Sequence, residues 1–125
     1  MMIKKKVILY KTEWCGHCKT IKPEWAKFKA AYDTFKEDIK GKYDIELDII
    51  ELDGDKHKEA VESAKVTGFP TIMIEYNGKK EEYSGDRTAL ALFRKVIPNL
   101  KDEDVANWAL VCEQLSNAAG VKKLK

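Results

Sequence analysis

Cysteine, proline and glycine are all scarce in this chain: three, three and seven among 125 residues. Three cysteines, an odd number with one close pair, do not make the disulfide framework of a small secreted domain, and they favour a reducing, intracellular compartment. There is no excess of charge of one sign either. The 23 basic and 21 acidic residues leave a net charge of +2, too even to create a field for nucleic acid or a membrane surface. No apolar run approaches the ~20 residues of a membrane span. The early run Val7 to Tyr10 is four residues long and is followed by no small-residue cleavage site, so no signal peptide is expected. The final Lys-Lys-Leu-Lys is not a soluble retention signal, and the dilysine retrieval signal it resembles acts on membrane proteins. The expected location is therefore cytoplasmic. Lys4-Lys5-Lys6 and Lys122, Lys123 and Lys125 read as solvated termini. No internal repeat and no low-complexity segment interrupts the chain, and its loops are short.

What is present is one ordinary core's worth of apolar residues, 44% of the chain, which predicts a single domain over residues 1–125. Val7-Ile8-Leu9-Tyr10 is an unbroken apolar run suited to a central strand within residues 3–11. From Gly16 the pattern turns helical, with Ile21, Trp25, Phe28, Tyr32, Phe35 and Ile39 on one stripe. Pro23 predicts a kink in that helix and Gly41 its end. Ile45 to Leu52 alternates as a strand, with a phase slip at Ile50 that signals fuller burial or a bulge. Asp53-Gly54-Asp55 reads as a turn and cap for a short helix over 55–65. Thr71 to Tyr76 and Lys80 to Ser84 are joined by Asn77-Gly78, a strong hairpin signal. Asp86 or Thr88 caps a helix to about Ile97, which Pro98 stops, and a last helix over about 102–119 carries Val105, Trp108, Ala109, Cys112 and Leu115 on one face. The order is βαβαββα plus one helix, an α/β fold.

The chemistry sits where the first strand hands over to the first helix, at Trp14-Cys15-Gly16-His17-Cys18-Lys19. A Cys-x-x-Cys pair alone reads as a dithiol-disulfide couple, half of a zinc site, part of a cluster-binding set, or two buried cysteines without chemistry. Zinc finds only Cys112, His17 and His57 as further ligands, with no second pair at a useful spacing. Placement favours the redox couple. At a helix N-terminus the free N–H groups and the dipole stabilise an anion, so the Cys15 thiolate is favoured while Cys18, one turn inside, is shielded.

Three segments in order, Trp14 to Lys19 with Pro23, Gly68-Phe69-Pro70-Thr71, and Tyr83-Ser84-Gly85-Asp86-Arg87-Thr88, resemble the thioredoxin superfamily over about Val7 to Ile97. Cys-Gly-His-Cys and Gly-Asp-Arg-Thr are similar to the catalytic domains of protein disulfide isomerases, since ordinary thioredoxins carry proline where His17 stands. The resemblance implies a thioredoxin-like fold with a mixed sheet, a core over about 3–98, an extra C-terminal helix and no leading strand-helix unit. It implies Cys15 as nucleophile and Cys18 as resolving thiol. His17 would stabilise the Cys15 thiolate and make the couple more oxidising, and Arg87 would approach Cys18 and lower its pKa. Trp14 and Gly16 would shape the rim, with Phe69, a cis Pro70 and Thr71 offering backbone to a substrate strand.

One departure concerns a proton: the family's buried carboxylate would stand at Leu9. Glu13 is expected to face solvent, and Glu75 is a candidate substitute. Cys112 reads as a buried structural thiol, with a dimer contact or second redox thiol as the alternative, and His57 as solvated. The expectation is a thiol-disulfide oxidoreductase acting on protein disulfides or dithiols, with no cofactor and no metal, recharged by an unidentified reductase or oxidant, monomeric, and independent of nucleic acid and membrane. The alternative is a thioredoxin-like binding module with structural or regulatory cysteines. A glutathione-dependent, glutaredoxin-like activity fits the two signature segments poorly.

Overall fold

The run Val7 to Tyr10 lies at the centre of a four-stranded sheet because both of its faces find cover. The computed structural model describes residues 2–118, with the side chains of Ala109 and of residues 112–118 outside the described set. The elements in order are β1 (Ile3–Lys11), α1 (Gly16–Tyr43), β2 (Ile45–Asp53), α2 (Lys58–Ser63), β3 (Thr71–Tyr76), β4 (Lys79–Tyr83), α3 (Ala89–Val96) and α4 (Asp102–Ala118). Strand order is β2-β1-β3-β4. β1 runs parallel to β2 and antiparallel to β3, and β4 returns antiparallel beside β3. The mixed sheet, and the alternation of strands with helices, are those the sequence implied.

Strand alternation divides the core in two. Val7 and Leu9 of β1, with Ile45 and Leu47 of β2 and Ile72 and Ile74 of β3, face the large cluster of α1, α3 and Trp108 of α4. Ile8, Tyr10 and Met73 face the opposite side, where Ala60, Val61 and Ala64 at α2 cover them with Ile50 and Leu52. The register between β1 and β2 is unbroken from Ile3↔Ile45 to Lys11↔Asp53. The apparent phase slip at Ile50 is therefore burial on both faces, and no bulge is needed.

Two expectations about helix limits are corrected. α1 passes through Gly41 and ends at Tyr43, where Asp44 takes the left-handed position at φ 56 and its N–H bonds the Lys40 carbonyl. The apolar stripe extends one step beyond Ile39 to the buried Tyr43, which makes the longer helix worthwhile. α1 runs through Pro23, which lies on its exposed side. α2 is shorter than expected: Asp53 Oδ1 accepts the Asp55 N–H at 2.8 Å in the turn, but the N-cap position is His57 and makes no side-chain cap. The hairpin forms at Asn77-Gly78, both at positive φ, 56 and 80, as a type I′ turn demands. Thr88 rather than Asp86 caps α3, its hydroxyl accepting the Ala91 N–H at 3.2 Å.

β2 is an edge strand, and Tyr32 of α1 covers part of that edge by accepting the Leu47 N–H on its hydroxyl at 2.9 Å. α4 is fastened to α1 by aromatic packing, Trp108 against Phe35 with ring centroids 5.3 Å apart, and by Tyr43, whose hydroxyl donates to Asp104 at 2.6 Å. The questions raised over Cys112 and Leu115 fall outside the described side chains. Among the described residues, no helix is long and apolar enough to cross a membrane.

Candidate active site

Cys15 is the residue at which strand geometry gives way to helix. Its backbone is extended, φ −84 and ψ 123, and it occupies the N-cap position of α1 without a side-chain cap of its own. The first N–H groups of the helix are thus free to face its sulfur. The thiol is pushed below its ordinary value, first by the hydrogen bond it receives from the Cys18 thiol, then by the main-chain N–H groups of Cys18 and His17 and the charge of Arg87, with burial opposing them. Cys18 moves the other way. It is 5% exposed, and burial raises its thiol, helped by the neighbouring Cys15; the Thr12 backbone and hydroxyl oppose the shift. Both cysteines are free thiols in this structure.

The Gly68 to Thr71 loop supplies the opposite wall. The Phe69-Pro70 peptide is cis, and the Cys15 thiol donates to the Phe69 carbonyl at 3.3 Å. Thr71 is buried, with its hydroxyl donating back to the Gly68 carbonyl at 2.6 Å, so it shapes the loop from within. The Phe69 ring meets the Trp14 ring edge to face, 6.1 Å between centroids. Trp14 is 68% exposed, the largest open aromatic surface among the described residues beside the cysteines, and its indole N–H donates to Asp55 at 2.9 Å. Gly16 opens α1 with open space where a Cβ would stand.

Cys15, Cys18, Trp14, Phe69 and Pro70 are therefore brought together, with His17 one residue into α1 and Arg87 held against the Pro70 carbonyl. The His17 side chain is exposed, and what reaches the Cys15 sulfur from it is its main-chain N–H. Arg87 donates to the Pro70 carbonyl at 3.3 Å, and its charge helps to lower the Cys15 thiol. Leu9 is 2% exposed in the large cluster, and Glu75 lies in register with Lys6, toward the far end of the sheet from the cysteines. Sequence reasoning missed Asp55, Gly54 and Thr12. Gly54 has no room for a side chain because the Phe69 ring lies against it, and Asp55 was assigned only to a turn. Thr12, 2% exposed beside the motif, carried the one available signal: a polar residue ending a buried strand next to reactive thiols. Among the described residues no three of His, Cys, Asp and Glu gather into a set that could hold a metal.

This arrangement can take a disulfide through two sulfurs of unequal acidity, one poised as thiolate and one protected. A model of the thioredoxin family matches residues 2–97. Protein disulfide isomerase-like 2-2 of Oryza sativa subsp. japonica is 38% identical over 76 residues, covering 59% of this chain and 18% of that protein. Protein disulfide-isomerase A6 of Homo sapiens is 34% identical over 114 residues, covering 81% of this chain and 24% of that protein. Among solved structures, the first thioredoxin domain of mouse protein disulfide-isomerase A4 superposes with a TM-score of 0.59 at 24% identity, over 78% of this chain and 66% of that one. Mitochondrial thioredoxin 3 from Saccharomyces cerevisiae, oxidised form, gives 0.56 at 25% identity over 77% and 78%. The chain thus spans about a fifth of the length of the curated relatives it matches.

Proposed function

Because the chain belongs to the thioredoxin family, we propose that it is a thiol-disulfide oxidoreductase that acts on protein substrates by cycling Cys15 and Cys18 between dithiol and disulfide. The observation that carries this reading is the split between the two thiols, Cys15 pushed down at the helix N-terminus and Cys18 pushed up by burial one turn later. A thiolate attacks fastest when its pKa lies near ambient pH, and a protected partner does not compete for the first attack.

In the reducing direction the Cys15 thiolate attacks one sulfur of a substrate disulfide. A Cys15-substrate bond forms, the substrate's S–S bond breaks, and the departing sulfur takes a proton. Cys18 then loses its proton and attacks Cys15, which closes the Cys15–Cys18 disulfide and releases the second substrate thiol. Two electrons pass to the substrate. The Phe69 carbonyl, turned to Cys15, and the Trp14 and Phe69 rings offer one polar and two apolar contacts for a polypeptide laid across the site. His17 and Arg87 belong to this proposal as electrostatic tuners of Cys15. The direction of flow follows from the couple's potential and from the partner that recharges it. A reducing cytoplasmic setting is part of the same proposal, on the strength of cysteine usage.

Insulin reduction by the wild type and by Cys15→Ser is the test. Turnover that vanishes in the variant supports the exchange reading. Insulin bound but not reduced by the wild type, and unaffected by the substitution, sinks it in favour of a binding module, the reading that the apolar Leu9 beside the pair would suit.

A further inference from the structure

Residues 84–88, which link β4 to α3, are all exposed, yet the backbone there is fastened at two points. Tyr83 supplies the first. As the last residue of β4 it stands in register with Ile72 and packs its ring against the main core, while its hydroxyl reaches forward to donate to the Asp86 carbonyl at 2.5 Å. The side chain lies so close over Gly85 that a Cβ there would meet the Tyr83 hydroxyl oxygen at 2.6 Å. Glu24 supplies the second. It follows Pro23 on α1, and its Oε1 accepts the N–H of Ala89, the first residue of α3, at 2.9 Å. A carboxylate suits that place, because the first N–H groups of a helix have no partner within the helix and the dipole there favours an anion. Lys27 holds the other carboxylate oxygen at 3.0 Å.

Arg87 lies between the two fastenings. With the Asp86 carbonyl and the Ala89 N–H both held, and the Thr88 hydroxyl committed to the Ala91 N–H, the backbone at Arg87 has little room to swing. Its side chain donates to the Pro70 carbonyl at 3.3 Å. That carbonyl is the next along the chain from the Phe69 carbonyl, which accepts the Cys15 thiol. We propose that Tyr83 and Glu24 are positioning residues for the first step of exchange: by clamping residues 86–89 they keep the Arg87 guanidinium at the cis-proline wall that Cys15 faces. This rests on the oxidoreductase reading and deepens it.

The Cys15 thiol is held down first by the Cys18 thiol, then by the main-chain N–H groups of Cys18 and His17, and then by the charge of Arg87. Of these, only Arg87 depends on the loop. An arginine free to sample solvent spreads its charge over many positions, where water and salt screen it. A fastened one keeps that charge where the thiolate forms. The step itself is unaltered: the Cys15 sulfur bonds to one substrate sulfur, the substrate's S–S bond breaks, and the departing sulfur takes a proton. The charged neighbours of the clamp, Asp86 beside Tyr83 and Lys27 on Glu24, stay in every variant below.

The test follows alkylation of Cys15 by iodoacetamide in the reduced protein from pH 4 to 10, with the labelled peptide identified by mass spectrometry so that Cys18 and Cys112 do not contribute. The midpoint of rate against pH reports the thiolate. Tyr83→Phe should move it upward and slow labelling near pH 6 about two- to fivefold, the scale of a solvent-screened charge contact, while the alkaline plateau stays in place. Glu24→Leu is compared with Glu24→Gln, which has the same charge and keeps an acceptor for the Ala89 N–H; the leucine variant should have the higher midpoint. Arg87→Met should shift the midpoint in the same direction, and adding Tyr83→Phe to it should shift it no further. A clamp that serves structure alone would lower stability and leave the midpoint where it is. An unshifted midpoint in Tyr83→Phe therefore overturns the proposal, as do equal midpoints in the two Glu24 variants, or a Tyr83 shift that survives undiminished beside Arg87→Met. A wild-type midpoint at the ordinary thiol value of about 8.5 would instead overturn the exchange reading itself.

Discussion

Gly54 decides where Phe69 lies, and Phe69 in turn meets both Trp14 and Cys15. A Cβ at Gly54 would stand 2.5 Å from the Phe69 ring, far inside van der Waals contact, while the same residue's carbonyl accepts the Cys15 thiol and its ring meets Trp14. Gly54→Ala is therefore expected to push the ring outward and to cost about 1–3 kcal/mol, the usual range for overfilling a packed site. Denaturant unfolding gives the loss, and the emission of the exposed Trp14 should shift with its neighbour. Unchanged stability and unchanged emission would show that the ring moves freely and would refute the coupling. At this scale the sequence was most legible where chemistry is local: Cys15 and Cys18 are three apart, and Asn77-Gly78 encodes its own turn. It was silent where two segments meet. The bond from Trp14 to Asp55 spans 41 positions and the contact of Gly54 with Phe69 joins two loops, so neither leaves a pattern in the neighbouring residues. The same reason hid the Arg87 contact, since the Pro70 carbonyl that it bonds lies 17 positions away.

Elements were legible in kind and less so in extent, because periodicity encodes a buried face while ends are settled by tertiary contacts. α1 outruns Gly41 because Tyr43 is held at its far end: the hydroxyl donates to Asp104 at 2.6 Å and accepts the Lys101 N–H at 3.1 Å, and Lys42 reaches Asp104 at 3.0 Å. These bonds clasp the start of α4 to the end of α1. Tyr43→Phe removes the hydroxyl and leaves a buried carboxylate short of a donor, which should cost about 1–3 kcal/mol in unfolding free energy. The clasp also has a pH signature. The Tyr43 hydroxyl, and then Lys42, hold the Asp104 carboxyl below its ordinary value. A carboxylate depressed by folding stabilises the protein above its unfolded pKa, near 4, and loses that contribution as pH falls through the folded value. Asp104→Asn should therefore be less stable than the wild type at pH 7, with the difference shrinking below about pH 4. Unfolding curves at both pH values check this, and a difference that does not shrink would mean that Asp104 acts through packing alone.

For the whole molecule the two thiols make redox state and folding stability one linked quantity. The oxidised form has no active-site thiol to ionise, and Cys112 is common to both forms, so the pH dependence that the pair adds to the reduced form comes from Cys15 and Cys18. Cys15 is depressed in the fold, chiefly by the Cys18 thiol's hydrogen bond. Its contribution to the reduced form is absent well below the folded value, grows as pH rises through it, and is complete above the unfolded thiol pKa of about 8.5. Cys18 is raised in the fold by burial. Above about 8.5 the unfolded chain ionises that thiol while the folded protein resists, so the reduced form loses stability until the raised value is passed. The stability of the reduced form relative to the oxidised one should consequently climb from acid pH, peak near 8.5 and decline beyond it. Paired unfolding of the two forms across pH 5 to 10 measures this, and the variants assign its limbs. Neither variant can form the disulfide, so each is referred to the oxidised wild type: Cys18→Ser should lose the declining limb, while Cys15→Ser should lose the climbing one. A monotonic curve in the wild type would mean that the two thiols are not set apart by the fold, and the division of labour between nucleophile and resolving thiol would have to come from access alone.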